Sequence, residues 1–372
     1  MNNNIDNINA VFAPYGLVVN DVIKTSQTIR YKLNLPLDVK LQGKLRRAAQ
    51  DIECTLTTAL HSNDISLVKD ADALYVECKS DFEIVPFHDY IDNVLSNSGL
   101  QLVLGQNTNG QKIITDLSKA PHILVGGTTG SGKSELLHSF IASLAYDMKK
   151  MPIELLIIDP KRAEYSAYKN CKNIKVITEM DEAVEYLHEA VKQMEYRYYE
   201  LESNGAKDIY RYTGLMDMHP IVIIIDELAD LMLSHKEIEK DIVRIAQKAR
   251  ACGIHLIIGT QTPRANIITG QIKANIPTKI ALKTVNSLES RIILDRNGAD
   301  KLCGKGDMLF LANGAFEPIR IQSAYVDDND KNVIASMLAK ATVQTNSNDN
   351  CNEKSNYFSN LLSKLFNKKV KG

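Results

Sequence analysis

Residues 122–146 read HILVGGTTGSGKSELLHSFIASLAY. Their centre, Gly127-Thr128-Thr129-Gly130-Ser131-Gly132-Lys133-Ser134, follows the pattern G-x-x-x-x-G-K-S. An apolar run precedes it and an amphipathic helical pattern follows it, which is the context this pattern requires. A glycine-rich turn there aims backbone amides at one point, and the helix N-terminus behind it favours negative charge. The turn is therefore expected to hold a nucleoside triphosphate, ATP, through all eight residues. Lys133 is expected to neutralise the β- and γ-phosphates, and the Ser134 hydroxyl to coordinate Mg²⁺.

The surrounding pattern says what kind of sheet carries this turn. The runs HILVGG, IELLIID, IKVIT, IVIIID, IHLIIGT and TKIALKT are nearly continuously apolar. Such runs suit strands buried on both faces of a parallel sheet. Helical patterns at about 133–149, 180–202 and 236–251 alternate with them, so residues 100–330 are expected to form a three-layer α/β domain. The chain has 372 residues, enough for a second domain. Residues 1–99 read as a small α+β domain. Its helix places Leu41, Leu45, Ala48, Ile52 and Leu56 at helical spacing, and the SNSG of 96–99 marks its end. Residues 331–356 read as a helix end and a polar, flexible linker. Residues 357–372 close the chain with an amphipathic, lysine-tipped helix, suited to a partner groove, an anionic membrane surface or the protein's own apolar surface.

Two further strand ends carry chemistry. In PIVIIIDELAD, 220–230, the apolar run ends in Asp226-Glu227. Ligands of α/β sheets bind at the carboxyl ends of strands. Asp226 is expected to hold Mg²⁺ and Glu227 to orient and polarise an attacking water. In GIHLIIGTQTP the strand ends in Thr260-Gln261, and Gln261 is expected to sense the γ-phosphate.

Composition excludes some alternatives. The formal net charge is −1, so a polyanionic partner would need a local basic surface. Six scattered cysteines without a C-x-x-C pair suggest free thiols in a reducing compartment, and the eight histidines lack zinc-ligand spacing. No apolar run approaches the ~18 residues of a membrane span, and the start lacks signal-peptide regions. A cytoplasmic location is expected.

Three blocks together resemble the motor of FtsK/SpoIIIE-type DNA translocases: ITDLSKAPHILVGGTTGSGKS, IDPKRAEYSAY, and the long block from ARACGIHLIIGTQTP to NGADKLCGKGDMLF. The resemblance is strong over about 114–325 and looser over 15–98. It implies a RecA-like P-loop NTPase fold, a homohexameric ring, ATP hydrolysis, and transport of double-stranded DNA through the ring. It also implies that Arg250 acts as an arginine finger in a neighbouring subunit. Pore-facing DNA contacts would come from Arg264, Lys273, Lys279 and Arg291. The chain departs from the family's T-Q-R-P, which is Thr260-Gln261-Thr262-Pro263 here, with Arg264 following. It also shows no membrane span, and the tail is too short for a winged-helix domain. Type VII protein-secretion motors share these motifs, and a non-catalytic nucleotide-dependent scaffold is a third reading.

Overall fold

Alternate residues of the N-terminal strands face opposite layers. The computed structural model describes residues 2–24, 28–34, 39–60, 65–70, 73–79, 84–162, 164–216 and 218–339; the expected linker over 342–356 and the expected helix over 357–372 lie outside the described residues. Strands β1 (Val19–Lys24), β2 (Thr28–Asn34), β3 (Ile65–Asp70) and β4 (Ala73–Lys79) form an antiparallel sheet in the order β1-β2-β4-β3. Tyr31, Leu33, Leu74, Val76 and Cys78 face helices α1 (Asn2–Phe12) and α2 (Val39–Ala59), burying Ile8, Phe12, Leu45, Ile52 and Leu56 with them. Arg30 and Glu77 lie on the other face and are also buried.

The larger sheet follows. Its members are β5 (Val85–Pro86), β6 (Gln101–Asn107), β7 (Lys112–Asp116), β8 (His122–Gly126), β9 (Glu154–Ile158) and β10 (Ile174–Ile177). Then come β11 (Ile221–Ile225), β12 (Ile254–Thr260), β13 (Thr278–Leu282), β14 (Asp307–Leu311) and β15 (Ile319–Tyr325). The order is β10-β9-β11-β12-β8-β13-β14-β15-β6-β7, with β5 paired to β15. The run from β10 to β13 is parallel, and the run from β13 to β7 is antiparallel. Every residue of β8, β11 and β12 is buried. Ile123, Val125, Val222, Ile224 and Ile257 join one core, while the alternate residues point to the opposite layer.

Helix α4 (Lys133–Asp147) lies in that first core beside α3 (Ile91–Ser96) and α10 (Asp328–Met337). It is buried on every side from Leu136 to Asp147, so it is not the amphipathic surface helix its position after the glycine loop suggested. The antiparallel strands β6 and β15 pack against it. Helices α5 (Met180–Ser203), α6 (Leu228–Ser234), α7 (Glu239–Lys248), α8 (Gly270–Asn275) and α9 (Ser287–Leu294) complete the larger unit. Val85, Phe87, Tyr90 and Val94 pack into the larger sheet's core.

A chain of charges joins the two sheets, both within the compact unit Met1–Ala339. The Arg30 guanidinium meets Glu77 at 3.0 Å, and Glu77 meets Arg320 of β15 at 3.0 Å. Arg320 grips Asp307 of β14 through Nε at 2.9 Å and Nη2 at 2.8 Å. Arg30 also donates to Thr108 and stacks over Tyr75. No helix among the described residues is long and apolar enough to cross a membrane.

Candidate functional site

Strand β8 lies between β12 and β13, so the glycine loop emerges where the carboxyl ends of three parallel strands converge. The loop runs from Gly127 to Gly132 and opens directly into α4. Gly130 and Gly132 have φ of +77° and +100°, a region that costs other residues strain. At Gly132 an added Cβ would collide with the Gly306 backbone, because the Gly306 amide donates to the Ser131 carbonyl at 2.7 Å. A second anchor holds the other side, where the Thr128 amide donates to the Lys283 carbonyl at 2.9 Å. Both anchors thus come from the connection between β13 and β14, one from each of its ends.

Lys133 and Asp226 meet beneath it. The Lys133 ammonium donates to the Asp226 carboxylate and to its carbonyl, each at 2.6 Å, with both side chains about 2% exposed. Tyr165 adds a third contact, its hydroxyl donating to Asp226 Oδ1 at 3.1 Å. Burial, then the neighbouring Asp226 carboxylate, raises the Tyr165 phenol well above its ordinary value, so it remains a donor. His138 backs this layer, its ring tilted at 45° against Tyr165 and hydrogen-bonded to Tyr168. Burial first, then Lys331, pushes its pKa down to about 4, so it is neutral.

Glu227 is held at both oxygens. The Thr260 hydroxyl donates to Oε1 at 2.7 Å, and the Gln261 amide donates to Oε2 at 2.8 Å. The Lys161 ammonium stands 3.9 Å from Oε2. The Gln261 side chain accepts from the Thr129 hydroxyl at 3.1 Å. Gln261 therefore touches Glu227 with its backbone and the glycine loop with its side chain. A cleft of about 570 Å³ opens over these groups. Its lining includes Thr129, Gly130, Lys133, Ser134 and Gln261.

These residues fit a Mg²⁺-triphosphate. The cradle needs glycine, a buried cation sits at its base, and a hydroxyl and a carboxylate flank it. Among the described residues no group of three or more His, Cys, Asp or Glu could hold a metal unaided.

The remaining expected residues lie apart from this cluster. Arg250 is exposed just before β12, at the opposite end of that strand from Gln261. Seven residues of strand separate the two by roughly 20 Å. Arg264 is exposed just beyond Gln261. Lys273 and Lys279 converge on Asp295, each at 2.7 Å. Burial opposes the charge on Asp295, but the hydrogen bonds from the two lysines hold its carboxyl below the usual range. Arg291 is exposed on α9 and donates to Asn297 at 2.8 Å.

Sequence reasoning did not single out Tyr165, Lys161, Lys283 or Gly306. The first two lie in the IDPKRAEYSAY block, whose Tyr165 stands six positions after the end of a buried strand-and-turn, Asp159. Gly306 lies in KGDM, next to Asp307.

The sequence profile of the FtsK/SpoIIIE family matches residues 93–220 and 214–265. The DNA translocase SftA of Bacillus subtilis (strain 168) is 43% identical over 251 residues, 65% of this chain and 26% of SftA. The DNA translocase FtsK of Clostridium tetani (strain Massachusetts / E88) is 35% identical over 350 residues, 88% of this chain and 46% of that protein. The chain thus spans less than half the length of either relative. Among solved structures, the pCW3 conjugation coupling protein TcpA, in its monomer form with ATPγS, aligns with a TM-score of 0.65 at 25% identity, covering 90% of this chain and 99% of that one.

Proposed function

Through residues 93–265 the chain belongs to the FtsK/SpoIIIE family, and on that premise we propose that it is an ATP-hydrolysing motor that moves double-stranded DNA. The observation that carries the reading is the convergence of Lys133, Asp226, Glu227, Thr260 and Gln261 at the ends of adjacent strands, beside a glycine cradle. The relatives are DNA translocases and the structural neighbour is a conjugation coupling protein, which supports the DNA substrate.

Bound ATP with Mg²⁺ supplies the scissile phosphoanhydride and a neutralising cation. The backbone amides of Gly127–Ser134 bind the phosphates, and Ser134 and Asp226 would hold the metal. Lys133 exchanges the Asp226 oxygens for phosphate oxygens. Tyr165 then remains as the donor that keeps Asp226 oriented. Glu227 orients a water and accepts its proton in part, its carboxylate aimed by Thr260 and by the Gln261 amide. Gln261, tied to Thr129, reports the state of the loop to the segment carrying Arg264.

The proposal includes a homohexameric ring with Arg250 serving the neighbour's site. Its place at the far end of β12 supports action in trans, since it lies about a strand length from its own chain's cradle. Arg264, Lys273, Lys279 and Arg291 are the proposed backbone contacts to DNA, giving sequence-tolerant binding. Lys273 and Lys279 would reach phosphates only by leaving Asp295. A cytoplasmic location, where ATP and DNA occur together, belongs to the same proposal, as does the division into a small domain over 1–99 and a motor over 100–330.

The test is ATP turnover of the full chain with and without linear duplex. Wild type should be stimulated by duplex. Glu227→Gln should bind ATP as wild type does and lose turnover, because only the proton acceptor is altered. Wild-type turnover in that variant would overturn the assignment of Glu227, and a wild type indifferent to duplex would overturn the DNA substrate.

A further inference from the structure

We propose that the base of the bound nucleotide is seated between Tyr325 and Ile84, so that the strap leading out of the small sheet completes the nucleotide site. This rests on the triphosphate reading of the glycine loop.

The cleft over the loop has two chemically different ends. Thr129, Lys133 and Gln261 line one end, and they touch Asp226 and Glu227 directly or through one bond. Ile84, Val85, Ala324 and Tyr325 line the other. A triphosphate anchored on the loop with its terminal phosphate toward Glu227 must run its nucleoside the opposite way. That direction leads past Ser134 to the apolar end.

The apolar end is built rather than incidental. Val85 pairs with Ala324 and Pro86 with Tyr325 in a short parallel bridge. This bridge pins the strap to the last residues of β15 and holds Ile84 and Tyr325 at the same mouth. Both side chains are large and apolar, yet Ile84 is 55% exposed and Tyr325 38% exposed. Their neighbours Val85 and Ala324 are 8% and 1% exposed, so the backbone on each side is anchored in the core while these two side chains face outward. A flat heteroaromatic base covers such a pair well. Aromatic faces stack, and an aliphatic side chain closes the other side. Neither side chain reads the hydrogen-bonding edge of a base; they select for a planar apolar face.

The phosphate end of the cleft does not depend on this pair. Inorganic tripolyphosphate therefore separates the two ends. The experiment measures, by calorimetry on the full chain with Mg²⁺, binding of ATPγS and of tripolyphosphate to wild type, Tyr325→Ala, Ile84→Ala and Tyr325→Phe. Exposure of both positions lets the variants keep the wild-type melting temperature, which is checked first. Tyr325→Ala should weaken ATPγS about 10-fold, equivalent to about 1.4 kcal/mol, and leave tripolyphosphate unchanged. Ile84→Ala should weaken ATPγS by a smaller factor with the same selectivity, and Tyr325→Phe should restore affinity. Unchanged ATPγS affinity in Tyr325→Ala and Ile84→Ala would overturn the proposal. So would a parallel loss of ATPγS and tripolyphosphate, because the damage would then lie at the loop. A wild type that binds neither ligand would instead sink the phosphate-site reading on which this one rests.

Discussion

Acidification should destabilise this protein through histidines buried in its central strands, and His255 isolates the effect. His255 of β12 is fully buried, its Nδ1 donating to the Pro121 carbonyl at 3.1 Å. Its pKa is pushed down to about 4. Burial is the main cause, and Arg197 and Arg250 add to it, while the Pro121 hydrogen bond and Asp116 oppose it. In the unfolded chain the imidazole titrates near ~6.5. Between those values the unfolded state holds a proton that the folded state refuses, so stability rises with pH there. The contribution is complete above about pH 6.5, falls as pH drops, and is lost once pH passes the folded value near 4. From pH 8 to pH 5 the loss from this one group is about 2 kcal/mol, and it changes little if the folded value is lower still. The perturbation is His255→Asn, whose amide can keep the donor to Pro121 while removing the titration. Urea unfolding at pH 8, 7, 6 and 5 gives the stability of each protein. The absolute stabilities will differ, but the wild type should lose about 2 kcal/mol more than the variant over that range. Parallel curves would refute the reasoning, because every other titrating group is common to both chains.

Three further outcomes follow from named contacts. Thr260→Val removes the hydroxyl that donates to Glu227; ATP turnover should fall roughly 10-fold with nucleotide affinity unchanged, and an equal loss of both would place Thr260 in binding instead. Asp295→Asn releases Lys273 and Lys279 from their shared partner. Duplex affinity should rise and its log–log salt slope steepen by roughly 1–2, and an unchanged slope would remove those lysines from the DNA contact. Glu77→Ala strands the buried Arg30 guanidinium, while Arg320 keeps Asp307; denaturant unfolding should show a loss of about 3–5 kcal/mol, and a near-neutral change would mean that water replaces the carboxylate at no cost.

The parallel half of the larger sheet was readable because its strands are buried on both faces. Runs such as IVIIID and IHLIIGT are nearly continuously apolar, with His255 the one polar residue inside the second, and β11 and β12 match them almost residue for residue. The glycine loop was readable because Gly130 and Gly132 answer a backbone requirement that few other residues meet. The antiparallel half was not. β14 and β15, in DMLFL and IRIQSAY, carry charged residues, a buried Asp307 and a partly buried Arg320, that neutralise each other across the ladder. Pairing of that kind has no local pattern. The same holds for Tyr165 and Lys161, which reach Asp226 and Glu227 across strands. Nor could sequence reveal that Asp295, in a left-handed turn after α9, would claim Lys273 and Lys279, two of the four residues expected at DNA.

Glu77 divides its carboxylate between Arg30 of the small sheet and Arg320 of the larger one. Swinging the small sheet away would break the Glu77–Arg320 contact, leaving Glu77 with Arg30 and Arg320 with Asp307. That shared carboxylate ties the small sheet to the larger one, as a flange rather than a bead on a string. Asp307, the far end of the charge chain, is followed backwards by Gly306, whose amide grips the Ser131 carbonyl. A load pulling on the flange is borne as stress at the phosphate cradle itself. On the proposed reading of the chain as a motor, the small sheet then belongs to the transmission.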